Sequence, residues 1–126
     1  MKPTPTAREL EWWRKHHPTY DVAVVERWNH WAGIRQDLYG WMDIQVVAPL
    51  ETIGIQVTSG SNHAARVAKV KRSAEAMRWS VAPGRRVLVV SWARRMVRCK
   101  NGAKVPRWYR RVEEITQFNA VEAARR

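Results

Sequence analysis

Residues 37–60 read DLYGWMDIQVVAPLETIGIQVTSG, two short apolar runs meeting at a turn. Pro49 suits the second position of a turn Ala48-Pro49-Leu50-Glu51, because its ring holds φ where that position needs it. An antiparallel hairpin built on this turn pairs Val47 with Thr52 and, four steps further down, Asp43 with Gln56. Side chains alternate along a strand, so Ile53, Ile55 and Val57 share one face while Gln56 and Thr58 share the other. Asp43 and Gln56 then stand side by side, with Thr58 one step along. A carboxylate and an amide oxygen at that spacing are hard ligands suited to a divalent cation. A slip of one residue would undo the arrangement, so everything at this position depends on the register.

Working outward, the flanking sequence alternates elements. Residues 1–5 read as a flexible N-terminal tail, and residues 6–126 as a single domain, long enough to bury a core. Thr6 is expected to cap a helix, with Glu9 closing a capping box, and the helix ends before Pro18. Tyr20 to Trp28 alternates and is rich in valine, the pattern of a strand. Asn29 to Asp37 reads as a loop. After the hairpin, Ser59-Gly60-Ser61-Asn62 breaks the strand, and residues 62–79 read as a helix with Val67, Val70, Ala74 and Met77 on one face. Arg86 to Trp92 is apolar enough for a central strand. Asn101-Gly102 signals a second hairpin turn, Trp108 to Ile115 forms the returning strand, and Thr116 is placed to cap a short last helix. The fold class is α/β: a small mixed β-sheet flanked by helices, in α-β-β-β-α-β order.

The chain has 126 residues, 45% of them hydrophobic, and a net charge of +12. Such a balance favours a polyanionic partner, most simply nucleic acid. Residues 1–65 are close to neutral, and the positive excess falls in residues 66–126. An acidic centre beside a basic cradle is what cutting a phosphodiester requires: anions hold a metal and cations draw in the backbone. One cysteine, Cys99, excludes an intrachain disulfide and a multi-thiolate zinc cluster. Met1-Lys2 runs into Pro3 and Pro5 with no apolar core, and no apolar run is long enough to span a bilayer, so no membrane role and a cytoplasmic location are expected.

Asp43 and the Gln56-Val57-Thr58 slot resemble the motif of the PD-(D/E)XK nuclease superfamily, in which an Asp on one strand is followed, a little over ten residues later, by Glu-x-Lys on the next. The likeness covers roughly residues 7–95 and is nearest to small Holliday-junction resolvase-like and phage endonucleases. It implies a metal-dependent DNA endonuclease that uses Mg²⁺ or Mn²⁺ on branched or structured DNA and acts as a homodimer on a symmetric junction. It also implies Asp43, Gln56 and Glu9 as metal ligands, with Glu9 supplied by the first helix. Two departures bear on activity. Gln56 carries no charge, and Thr58 offers a hydroxyl where the family has a cation, leaving Lys69 or Arg66 on the following helix to supply it.

Asp37, Glu26 and His63 are further candidates for the same site. Each has a plain alternative: Asp37 with Arg35, Glu26 with Arg27 or another base, and His63 on the surface. Arg94, Arg95, Arg98, Lys100, Lys104, Arg107, Arg110 and Arg111 bracket the second hairpin and, with Arg66, read as DNA contacts. Of eight tryptophans, Trp79 and Trp92 fall in core elements. Trp28, Trp31 and Trp41 flank the site, where stacking on unpaired bases competes with packing. Two other readings stand beside the enzyme: a catalytically degenerate nuclease-fold protein that binds DNA without turnover, and a basic RNA-binding or ribosome-associated protein.

Overall fold

The computed structural model of the protein describes residues 3–119. Helix α1 spans Pro5–His16, and strands β1, β2, β3, β4 and β5 span Asp21–Val24, Arg27–Asn29, Ile34–Gln36, Ile44–Val47 and Thr52–Ser59. A 3₁₀ turn at Gly60–Asn62 leads into helices α2 (His63–Lys71) and α3 (Ala74–Ser80), then strands β6 (Arg85–Arg98) and β7 (Lys104–Glu114). Five strands form one mixed sheet in the order β1-β4-β5-β6-β7, and β2 and β3 form a separate two-stranded sheet. All neighbours are antiparallel except β5 and β6. A parallel pair needs a crossover, and α2 with α3 supplies it. Setting aside the β2–β3 hairpin, the order is the expected α-β-β-β-α-β, followed by β7.

The hairpin register is the one its turn dictates. Val47 faces Thr52 and Ile44 faces Ile55, and the Ala48 amide donates to the Glu51 carbonyl at 2.9 Å. Continuing that ladder by one step sets Asp43 against Gln56, and the Asp43 amide donates to the Ile55 carbonyl at 2.8 Å. Strand β5 is buried along both faces. Ile53, Ile55 and Val57 pack with Ile44, Val46, Leu88, Val90 and Trp13 beneath α1. The other face meets Trp41, Met42, Trp79, Val67 and Val70 under α2 and α3. Gly54 makes that second core fit: a Cβ there would lie 2.5 Å from Trp41 and 2.8 Å from Met42. Trp41, expected beside the site, is instead wholly buried and meets Trp79 edge-on at 5.4 Å.

Several boundaries differ from the sequence reading, each for a local reason. Helix α1 begins at Pro5, which suits a first-turn position, and Thr4 rather than Thr6 is the cap, its hydroxyl accepting from the Ala7 amide at 3.1 Å. The expected tail therefore ends before Pro5, and its residues 1–2 lie outside the described residues. The single strand expected over Tyr20–Trp28 is two, because β1 leaves the main sheet at Val24 and the chain turns into the β2–β3 hairpin. The single helix over 62–79 is broken at Ser73, whose hydroxyl accepts from the Ala76 amide at 3.1 Å and starts α3. Residues 116–118 form no helix behind Thr116, and 120–126 lie outside the described residues. The Asn101-Gly102 turn forms as expected, with Gly102 at φ +85 where a side chain would be strained.

Glu9 closes no capping box. It is fully buried beneath the sheet, where both oxygens are taken. Oε1 accepts from Trp92 Nε1 (3.0 Å) and Arg110 Nε (2.8 Å), and Oε2 accepts from Trp13 Nε1 (2.8 Å) and Arg110 Nη2 (2.6 Å). The Arg110 guanidinium also lies 3.6 Å over the Trp12 ring. This forked pair ties α1 to β6 and β7. Arg110→Met would leave a buried carboxylate without its counter-ion and is expected to cost about 3–5 kcal/mol. Urea unfolding checks this; a midpoint equal to wild type would show that the two indoles alone hold the carboxylate.

Candidate functional site

On the sheet face opposite Glu9, a cleft of about 600 Å³ opens over the junction of β4 and β5. Its walls include Glu26, Asp37, Asp43, Gln56, Arg66 and Lys69. Three elements converge there. The hairpin register presents Asp43 and Gln56, the turn from β3 into β4 presents Asp37, and α2 presents Arg66 and Lys69 one turn apart. Oxygens of Glu26, Asp37 and Asp43 lie within 4.8 Å of one another, near enough to share one cation.

Asp43 is almost wholly buried. Its Oδ2 accepts from the Val57 amide at 2.7 Å and from Gln56 Nε2 at 2.7 Å, and the same Nε2 lies 3.4 Å from Asp37. No cationic side chain pairs with it among the described residues. Burial pushes its pKa up to about 9 from 3.8, and a hydrogen bond to Asp37 and the nearby negative charge of Asp37 and Glu26 reinforce the effect against the Val57 amide. Asp43 therefore favours its protonated form at neutral pH, sharing a hydrogen bond with Asp37. The other two acids have partial counter-ions: Arg35 lies 3.4 Å from Glu26 and Lys69 lies 3.9 Å from Asp37. Gln56 offers its amide nitrogen to the acids, while its Oε1 is buried with no partner, an unsatisfied acceptor beside an acidic centre.

The structure thus gathers Asp43, Gln56, Asp37, Glu26, Lys69 and Arg66 around one cleft. It separates four residues assigned roles in catalysis or DNA binding. Glu9 is on the other face, because helix α1 covers the Ile53–Ile55–Val57 side of β5, and its oxygens are spent on Arg110 and two indoles. Arg110 is consequently a structural cation rather than a DNA contact. Thr58 shares Gln56's face but is buried away from the cleft walls, paired across the ladder with Ser91. His63 is buried too: Nδ1 lies 2.7 Å from Ser91 Oγ and Nε2 lies 3.2 Å from Glu113. It joins α2 to β6 and β7 instead of facing the cleft. Thr6, Arg35 and Gln36 also line the cleft. The sequence carried no signal for Thr6, since nothing local says which turn of α1 meets the cleft. Arg35, weighed against Asp37, pairs with Glu26 instead.

Arg111 faces Ser91 within the five-stranded sheet and lies 3.9 Å from Glu113, and the other basic residues of the second hairpin lie on a projecting ribbon. Strand β5 ends at Ser59 opposite Trp92, and beyond that point, among the described residues, β7 is the only strand paired with β6. Arg95 stands directly across from Arg107, and Arg98 across from Lys104. No family model, curated protein or solved structure matches the chain. No helix among the described residues is long and apolar enough to cross a membrane.

The Asp43 carboxyl has a testable signature. Its folded pKa lies above its unfolded one, so its contribution to stability is complete below about pH 3.8 and is lost as pH rises toward about 9. Asp43→Asn cannot titrate and keeps an oxygen for the Val57 amide. In EDTA the variant is expected to melt on the order of 5 °C higher than wild type at pH 8, with the gap closing toward pH 4. Thermal melts across that range check it; a gap independent of pH would show that the carboxyl is not held protonated.

Proposed function

We propose that the protein is a metal-dependent DNA endonuclease acting on branched or structured DNA. The observation that carries this reading is the convergence of three carboxyl groups and three cations, Arg35, Arg66 and Lys69, in one open cleft. The element order adds support, because it is the order implied by the resemblance to the PD-(D/E)XK nucleases. The donor set fits a hard divalent cation. Glu26, Asp37 and Asp43 supply carboxylate oxygens, and Gln56 Oε1 is a buried acceptor that a cation would draw. Bound there, Mg²⁺ or Mn²⁺ supplies Lewis acidity toward a phosphate oxygen and lowers the pKa of its water.

The chain's own residues have the complementary tasks. Asp43 must release its proton to serve as a ligand, so cation affinity rises with pH. Lys69 and Arg66, on the same wall, hold the phosphate oxygens and offset the charge that builds on phosphorus. They take the place of the family's lysine, whose position Thr58 occupies here without reaching the cleft. The β6–β7 ribbon holds the duplex. Like charges directly opposed across strands cost stability, and a polyanion relieves the Arg95–Arg107 and Arg98–Lys104 pairs. A two-stranded ribbon also fits the major groove of B-DNA. A twofold-symmetric junction takes two cuts, which makes a homodimer part of the proposal.

One observation favours the second reading, a DNA binder without turnover: Gln56 Nε2 donates to Asp43 and occupies a lone pair that a cation would use. Four-way junctions incubated with Mg²⁺ or Mn²⁺ separate the two. Cleavage is expected, lost in Asp43→Ala and reduced about 10²-fold in Lys69→Ala. Binding without cleavage, or cleavage indifferent to Asp43, would remove the enzyme. In either reading, Arg95→Ala and Arg107→Ala should each lower the slope of log affinity against log salt by about 1. An unchanged slope would free the ribbon of phosphate contact.

A further inference from the structure

A second cavity, of about 500 Å³, adjoins the acidic cleft, and Gln36 and Asp37 line both. Its other walls include Trp28, Trp31 and Tyr39. These aromatics are unusually open: Trp31 is 100% exposed, Tyr39 57% and Trp28 52%. Neither packing need explains them, because both cores close without them. Tyr39 has φ 56, a left-handed conformation costly for a residue with a side chain. Asn29 Oδ1 accepts from the Trp31 and Ala32 amides at 3.0 Å each, which holds the tip of the β2–β3 hairpin in shape. Arg27 also lines the cavity, and Arg35 borders the cleft.

We infer that this cavity receives an unpaired nucleobase, stacked on Trp28 and Trp31, from the strand whose phosphate lies in the acidic cleft. The inference rests on the nuclease reading for its ligand, DNA, and deepens it by assigning the substrate class: DNA with a base out of the duplex. Three features favour a base over an apolar protein segment. The cavity shares the walls of Gln36 and Asp37 with a cleft that carries Lys69 and Arg66, so a base and its own phosphate find partners side by side. Arg27 on the cavity wall suits a polyanion. Indole faces stack on any base without selecting sequence, which suits recognition of DNA structure. The main sheet ends β1 at Val24 and sends the chain outward as a separate hairpin, which places these indoles beside Asp37.

The test uses the full chain in EDTA, so that binding is read without turnover. One probe is a perfect duplex. The other is the same duplex with a single bulged 2-aminopurine. Tighter binding of the bulged probe, by about tenfold, with quenched 2-aminopurine fluorescence is expected. Trp28→Ala with Trp31→Ala should abolish both the preference and the quenching while leaving perfect-duplex affinity and the circular dichroism unchanged. A preference that survives the double substitution, or none in wild type, overturns the inference. So does a change of oligomeric state in the variant with DNA binding intact, which would make the indoles a protein interface. The two readings fail separately. A tryptophan-dependent bulge preference without Mn²⁺-dependent cleavage sinks the nuclease and keeps the base pocket. Asp43-dependent cleavage without a bulge preference does the reverse.

Discussion

Strand β5 has no face open to water, and that constraint organises the molecule. Its Ile53, Ile55 and Val57 need an apolar cover, which α1 provides. Its opposite face alternates Gly54, Gln56 and Thr58, and each solves a different problem under α2 and α3. Gly54 leaves room for Trp41 and Trp79. Thr58 lies across the ladder from Ser91. Gln56 is a buried amide that must find partners, and it finds Asp43 and Asp37. The acidic cleft exists because a polar side chain was placed in the middle of a strand that the fold buries.

The two faces of the sheet therefore hold two acidic centres of opposite character. Under α1, Glu9 meets a forked guanidinium and two indole donors, and its charge is fully answered. Over β4 and β5, three carboxyl groups crowd together; Arg35 and Lys69 reach Glu26 and Asp37, but among the described residues no cation pairs with Asp43, which favours its protonated form. A saturated acid is a structural tie. An unsaturated one is a site that a cation would stabilise. The difference lies entirely in the partners, since the two residue types are chemically alike.

Much of the hairpin was legible because its signals are local. A proline in the turn set the register, and the register set Asp43 against Gln56. The alternating and apolar runs likewise marked most of the main strands, and Asn101-Gly102 marked the second turn. What misled was a local signal with a non-local competitor. Thr6 and Glu9 have capping-box spacing, yet Thr4 preceding Pro5 makes the better start, and Glu9 was taken by Arg110 from the far end of the chain. Valines continue past Val24, and Val25 still donates to the Asp43 carbonyl one step along the β1–β4 register, but the chain then leaves the sheet to form the separate β2–β3 hairpin. Helical periodicity runs through Ser73, whose hydroxyl nonetheless starts a new helix.

What the sequence determined alone is whatever spacing and turn chemistry can decide: the α/β class, the hairpin register, the basic second half and the pairing of an acid with an amide. What only the tertiary structure decided is which charges meet. Glu9 and Arg110 lie 101 positions apart, Lys69 reaches Asp37 across a helix crossover, and His63 turns inward to Ser91 and Glu113. Charge pairing depends on distance in space and on burial, and neither is written in the order of residues until the sheet has closed.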